Sequence, residues 1–165
     1  MFSIIGNSGN RYEIKDSGRG ITRFEDFHSE KAARKHVLNL NKKILNKELK
    51  SIRKRYEASG VEFAGRKILT SNKEINDFKF VTINHDFSNE DRIQWKITER
   101  LWLSFTKEDT ENISYLLNKK IESCFSAEKK CQELINNLSI KDNIHGIRMR
   151  KLFKHHYDKS MEKSN

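Results

Sequence analysis

Val61-Glu62-Phe63-Ala64-Gly65-Arg66-Lys67-Ile68-Leu69-Thr70-Ser71, followed by Ile93-Gln94-Trp95-Lys96 and Leu101-Trp102-Leu103-Ser104-Phe105-Thr106-Lys107-Glu108-Asp109, decides the fold of this chain. In the first run Ala64-Gly65-Arg66 separates two short apolar segments, the pattern of a hairpin. In the second, Ile93–Thr98 and Leu101–Phe105 flank Glu99-Arg100, a second hairpin whose turn chemistry is poor for a tight type I′ loop. Trp95 and Trp102 lie on its two strands and are expected to share one buried face. Thr106, with Asp109 three residues later, opens a helix in the manner of a capping box, Asp replacing the usual Glu. Ile113, Leu117, Ile121, Cys124, Cys131, Ile135 and Leu138 then recur at near-heptad steps, broken by Glu128, with no stop expected before Gly146. Between the hairpins, residues 72–87 fit two readings. Phe78, Phe80 and Ile83 belong to a strand, or to one face of a short helix beginning after Ser71.

Upstream, three short strands are expected over residues 2–5, 11–15 and 20–24. Gly6-Asn7-Ser8-Gly9-Asn10 and Asp16-Ser17-Gly18 are the turns between them, giving a small antiparallel meander. Ser29 is a suitable N-cap, and Glu30 in the first turn complements the helix dipole. A long helix follows, to about Ala58, with Gly60 as its stop. Its apolar stripe is Ala33, Val37, Leu40, Ile44, Leu45, Leu49, Ile52 and Tyr56. The other face holds Lys35, Asn39, Lys42, Asn46, Lys50 and Arg53, widened by Lys31, Lys43, Lys47 and Lys54. Downstream, the segment from Ile147 carries Arg148, Arg150, Lys151, Lys154, His155, His156 and Lys159. It reads as a basic helix fraying after Tyr157. The expected class is α+β: small antiparallel hairpins and a meander, two long helices and a basic C-terminal helix.

Charge divides the chain in the same way. Residues 1–60 carry net +7, residues 61–140 net −1 and residues 141–165 net +4, which together make the formal +10. The organisation expected is therefore an N-terminal part, 1–60, of strands and a basic helix; a neutral hairpin-and-helix module, 61–140; and a basic tail, 141–165. The hydrophobic share of 35% against 34% charged residues suits long helices with one apolar stripe. The absence of Pro leaves no helix open to interruption by that residue; with abundant Lys, Asn and Ile it also fits AT-rich coding. Met1–Gly6 is too short an apolar run for a signal peptide, and no stretch approaches a membrane span. Cys124 and Cys131 lie two helical turns apart, about 10.5 Å, beyond the reach of a disulfide. They read as buried thiols in a reducing compartment.

The cationic face, with Lys35, Lys42, Lys43, Lys47, Lys50, Arg53 and Lys54, together with Arg148, Arg150 and Lys151, offers contact to phosphates or to an acidic partner. Lys dominates it and no aromatic is interleaved. It therefore reads first as a solvated face and, on nucleic acid, as a sequence-blind one. His85-Asp86 with Glu90-Asp91 lacks the Lys and the strand context of a nuclease centre, and His155-His156 point to different sides of a helix. Gly6–Gly9 lacks the Lys and hydroxyl of a phosphate loop. No catalytic residue, metal ligand or cofactor site is assigned, and the sequence predicts a non-enzymatic protein. The stripe Leu117, Ile121, Cys124, Cys131, Ile135 and Leu138 is long for a small domain and is expected to pack partly on another chain.

The order of strand, small-residue turn, strand, Trp strand and threonine-initiated helix over residues 61–138 resembles a short phage domain of unknown function. That domain occurs in tail-fibre assembly and other tail-associated proteins. The long helix with Ile121-Glu122-Ser123-Cys124-Phe125 and Glu128-Lys129-Lys130-Cys131-Gln132-Glu133-Leu134-Ile135 continues the likeness. The family usually has a helix where Asn72–Ile83 stands here, and Phe78–Ile83 departs from it. The resemblance implies a virion or tail-assembly component, an oligomer with its own kind or with other phage structural proteins, in the virion or the host cytoplasm. The alternative is a small phage-encoded nucleic-acid-binding or anti-defence protein acting through the Lys-rich helix of residues 31–55.

Overall fold

The computed structural model describes residues 1–88 and 91–162. Its elements are β1 (Phe2–Ser8), β2 (Arg11–Asp16), β3 (Ile21–Asp26), α1 (Glu30–Glu57), β4 (Val61–Phe63), β5 (Arg66–Ile68), α2 (Asn72–Asn84), β6 (Arg92–Thr98), β7 (Leu101–Thr106), α3 (Lys107–Asn137), a 3-10 turn (Ile144–Gly146) and α4 (Met149–Glu162). The class is α+β, with one three-stranded and two two-stranded antiparallel sheets. Two compact units interleave along the chain. The first takes Met1–Ile52 and Ala127–His156; the second takes Arg53–Ser126 and the chain from Tyr157 onward. The unit boundaries fall inside α1, α3 and α4, whereas the division by charge falls at residues 60 and 140.

In the first unit β1, β2 and β3 form the expected meander. Strand β1 runs on to Ser8, so the turn is only Gly9-Asn10, with Gly9 at φ 62°. A bulge at Ile5 shifts its register, so that Ile4 faces Ile14 but Gly6 faces Glu13. Tyr12 and Ile14 are buried on the inner face. Ser29 caps α1 as expected, its hydroxyl accepting from Ala32 N at 3.2 Å. The buried line of α1 here is Ala33, Leu38, Asn41, Leu45, Leu49 and Ile52. Ala33, Leu45, Leu49 and Ile52 are buried as periodicity suggests, but Leu40 and Ile44 are only half-buried, so between Ala33 and Leu45 the buried line runs one position further on, through Leu38 and Asn41. Asn41 explains the shift. Its Oδ1 accepts from Phe2 N at 2.7 Å and its Nδ2 donates to Phe2 O at 3.0 Å, so a polar residue is buried with its hydrogen bonds made.

Helix α3 stops at Asn137, before Gly146. Ser139 Oγ and N both donate to Asp142 Oδ2, at 2.8 and 2.6 Å. This Ser-x-x-Asp clasp has the same spacing as the Thr-x-x-Asp of Thr106 and Asp109. Beyond it, α4 buries Met149 and Phe153 and continues to Glu162, past the expected fraying point.

The second unit has its own core: Val61, Ile68, Leu69, Ile75, Phe78, Phe105, Ile113 and Leu117, with Trp95, Ile97 and Leu103 packed against it. Ala64 (φ 49°) and Gly65 (φ 72°) form the two-residue turn of the β4–β5 hairpin, both left-handed as a type I′ turn requires. Residues 72–84 are helical, and Ser71 and Glu74 form a complete capping box. Of the ambiguous aromatics, only Phe78 is buried. Thr106 and Asp109 likewise cap α3, with Thr106 N and Oγ1 each 2.9 Å from Asp109 Oδ2.

The two tryptophans do not share a face. Trp95 packs edge-on against Phe78, ring centroids 5.4 Å apart. Trp102 is 56% exposed. The cause is the register: Thr98 pairs with Leu101, but Lys96 pairs with Trp102, so Ile97 is an extra residue. In a hairpin without that bulge, Trp102 would face Ile97 on the Trp95 side. With it, Trp102 lies beside Lys96, whose Nζ is 5.8 Å from the indole ring. Phe78→Ala is therefore expected to cost about 3–5 kcal/mol, and Trp102→Ala less than about 1 kcal/mol, as read from urea unfolding midpoints.

Candidate interaction surfaces

Each cation singled out in the sequence has a definite place. In the first unit, Lys35, Lys43, Lys47 and Lys50 are exposed on α1. The last three follow one another at steps of four and three, so they form one ridge. Among the described residues no carboxylate pairs with them. Lys42 belongs to a different arrangement: it is half-buried, and its Nζ donates to Asn136 O at 2.7 Å. A cation on the last turn of α3 satisfies a carbonyl that the helix leaves open. Arg148, Arg150 and Lys151 are exposed at the start of α4, where no acidic residue offsets them.

In the second unit, Lys54 is exposed, whereas Arg53 is engaged. Its guanidinium pairs with Glu57 and lies 4.8 Å from the ring centroid of Phe125. Of the predicted phosphate contacts, Lys42 and Arg53 therefore hold structure, and the exposed ones remain open to solvent.

The stripe on α3 is covered within the single chain. Leu117, Cys124, Cys131 and Ile135 are at most 1% exposed, and Ile121 and Leu138 are half-buried. Of the residues buried on α3, Thr110, Ile113, Leu117, Lys120, Cys124, Ala127, Cys131 and Ile135 advance by three and four without a break, with Ser123 buried beside Cys124. This removes the reason for expecting that stripe to seat a second chain. Both cysteines are buried and neither is in a disulfide, and burial pushes the Cys131 thiol up to about 11.

Lys120 was not singled out in the sequence. It is 5% exposed, and its Nζ donates to Ser59 Oγ at 2.7 Å and to Gly60 O. Burial, then Lys67, lower its pKa, while Cys124 opposes them. Ser59 Oγ in turn donates to Tyr56 O at 2.8 Å, so the lysine and the serine together satisfy the turn that ends α1. A lysine at a helical stripe position is the only trace of this in the sequence. Tyr157, against Tyr56 at 5.0 Å, is raised to about 12, chiefly by burial.

The acidic and histidine clusters hold local structure. Asp86 accepts from Ser88 N and Oγ at 2.9 and 2.6 Å, and His85 meets Phe87 edge-on, ring centroids 4.4 Å apart. Glu90 lies outside the described residues. His155 and His156 have ring centroids 5.4 Å apart. Among the described residues no three His, Cys, Asp or Glu converge as a metal site, and no helix is long and apolar enough to cross a membrane.

Exposed apolar side chains are the surface feature that the sequence did not locate. On α2, Phe80 is 71% and Ile83 81% exposed, opposite buried Ile75 and Phe78. No family model, no curated protein and no solved structure matches this chain.

The Cys131 thiol supplies a pH test. The unfolded thiol ionises near 9.0 and the folded one near 11. Between those values the folded chain holds a proton that the unfolded chain has lost. Its stabilisation is complete below pH 9 and drains away as pH rises towards 11, to a total of ~3 kcal/mol. Cys131→Ala is expected to flatten this decline in urea titrations from pH 8 to 11, while lowering stability at pH 7 through lost packing.

Proposed function

We propose that this chain is a non-enzymatic component acting through protein–protein contacts, of the phage virion or tail-assembly kind that residues 61–138 resemble. The observation that carries this reading is the outer face of α2. Phe80 and Ile83 stand one turn apart and almost fully in water, on a helix whose opposite side is sunk in the core. Single exposed apolar residues are ordinary, but two large adjacent ones on a rigid, capped helix favour an association surface. The element order of the second unit also supports the resemblance: hairpin, helix at Asn72–Asn84, Trp hairpin, then a threonine-capped helix. The helix that the resembled family carries at that place is present. The partners are other structural or assembly proteins, in the virion or the host cytoplasm.

The test is capture of partners by the purified chain and by Phe80→Ser/Ile83→Ser. Both substituted side chains are exposed, so the variant is expected to melt within a few degrees of the parent and to lose the protein that the parent retains. Equal retention by both would count against this surface.

A second reading has its own observation, the unpaired Lys43, Lys47 and Lys50 ridge. It supports sequence-independent binding to nucleic acid through phosphates. On this reading, replacing the three with Gln, a comparable helix former, lowers the slope of log affinity against log salt by roughly three for a duplex, measured by fluorescence anisotropy. A parent that binds no duplex at low salt leaves only the assembly role.

A further inference from the structure

The two edges of the three-stranded sheet are treated differently. The β1 edge is closed. Asn41 holds the outward N–H and C=O of Phe2, at 2.7 and 3.0 Å, and the bulge at Ile5 breaks the line behind it. Such devices keep an edge from pairing with another chain. Strand β3 has neither. Its register against β2 is continuous from Ile21 to Asp26. Ile21 is 55% and Phe24 58% exposed, and among the described residues no strand lies beyond it.

Hydrogen-bond parity shows which groups are open. Phe27 N donates to Asn10 O at 2.7 Å, so residues 27 and 10 are a hydrogen-bonded pair. In an antiparallel ladder such pairs alternate. Residues 25, 23 and 21 therefore also bond towards β2, and Thr22, Phe24 and Asp26 turn their N–H and C=O groups outward.

We propose that β3 is a self-pairing edge, on which a second copy of this chain docks antiparallel through the same Ile21–Asp26 segment. Only outward-facing residues can form hydrogen-bonded pairs across the new junction, and the register that sets Phe24 opposite the partner's Asp26 puts Glu25 against the partner's Glu25, which is repulsive; two further registers make at least two such pairs. One sets Thr22 opposite the partner's Phe24 and puts Arg23 against the partner's Arg23, which is repulsive. The other sets Phe24 opposite the partner's Phe24 and Thr22 opposite the partner's Asp26, making three hydrogen-bonded pairs in place of two. It also sets Arg23 opposite the partner's Glu25, twice by symmetry. Charge and hydrogen bonding thus select the same register. The strand is complementary to itself, as a two-fold interface demands, and opposite charges directly across strands stabilise the pairing. Glu25 is already fixed near the edge by Arg23 at 2.7 Å, with His36 Nε2 3.1 Å from its other carboxylate oxygen. Phe24 stacks on Arg11 at 5.2 Å and meets its copy on the outer face. This inference stands on the first unit alone and is independent of the α2 surface.

The test is a charge exchange between copies of the full chain. By sedimentation equilibrium the parent is expected to dimerise with increasing concentration. Arg23→Glu alone places Glu against the partner's Glu25, and Glu25→Arg alone places Arg against the partner's Arg23. Each is expected to weaken the dimer by at least about tenfold. Mixed in equal amounts, the two variants present only opposite charges to each other, so a heterodimer should form. Loss of a structural role within one copy cannot be repaired by mixing. Circular dichroism verifies that each variant is folded. Should one fail to fold, Phe24→Cys replaces the exchange. Its Cα atoms would stand about 5.5 Å apart, within disulfide range, so mild oxidation should link two copies, whereas Ile21→Cys should not. A parent that stays monomeric up to millimolar loading, single variants that dimerise like the parent, a mixture that fails to pair, or equal cross-linking at both cysteine positions would each overturn the proposal. Phe80→Ser/Ile83→Ser is expected to leave this dimer unchanged, so failure of one surface is distinguishable from failure of the other.

Discussion

A β-carbon at residue 60 would lie 2.5 Å from the Ile68 carbonyl oxygen, inside any real contact distance, and the backbone there is left-handed at φ 71°. Only glycine meets both conditions. The second unit depends on that position, because the chain must leave α1 and enter β4 within three residues. The tight turn draws the start of β4 against the end of β5, where Val61 pairs with Ile68 and both are buried. At this turn Lys120 supplies a donor to the Gly60 carbonyl and to the Ser59 hydroxyl. A buried ammonium is costly unless its hydrogen bonds are made, so glycine, serine and lysine form one arrangement, each requiring the other two.

Much of this architecture was legible because local chemistry and periodicity agree. The meander, both hairpins, the caps at Ser29 and Thr106, the stop at Gly60 and the buried thiols follow from turn residues, N-cap types and three-four spacing. Two of the failures share a physical cause: each turned on a shift of a single residue. One bulged residue at Ile97 reverses the side on which Trp102 emerges. One polar side chain, Asn41, reaches the edge of β1 and draws the buried line of α1 away from Leu40 and Ile44. Strand alternation and helical spacing describe ideal elements, and neither records an inserted residue or a buried amide.

The surfaces were less legible than the core. The cationic ridge of Lys43, Lys47 and Lys50 could be read from spacing alone. That Lys42 and Arg53 are committed elsewhere depends on Asn136, Glu57 and Phe125, and for Lys42 that partner is remote in the sequence. Ser71 and Glu74 carried the signal for α2, and once that helix is granted, Phe80 and Ile83 must oppose Ile75 and Phe78. The α3 stripe misled for a related reason. Periodicity identifies a face that needs covering but not what covers it.

The interleaving of the two units bears on the order in which the protein can be made. The first unit needs Ala127–His156 as well as Met1–Ile52. As the ribosome releases the chain from its N-terminus, the meander and α1 emerge with their remaining packing partners still unsynthesised. They stay incomplete until residue 156 has been released. For most of that time the open edge of β3 and the apolar side of α1 are both unprotected. Nascent chains on one message are close neighbours, and such exposed segments invite contact between them. A stop before residue 156 would remove part of both units at once, so neither is expected to survive as such a shortened product.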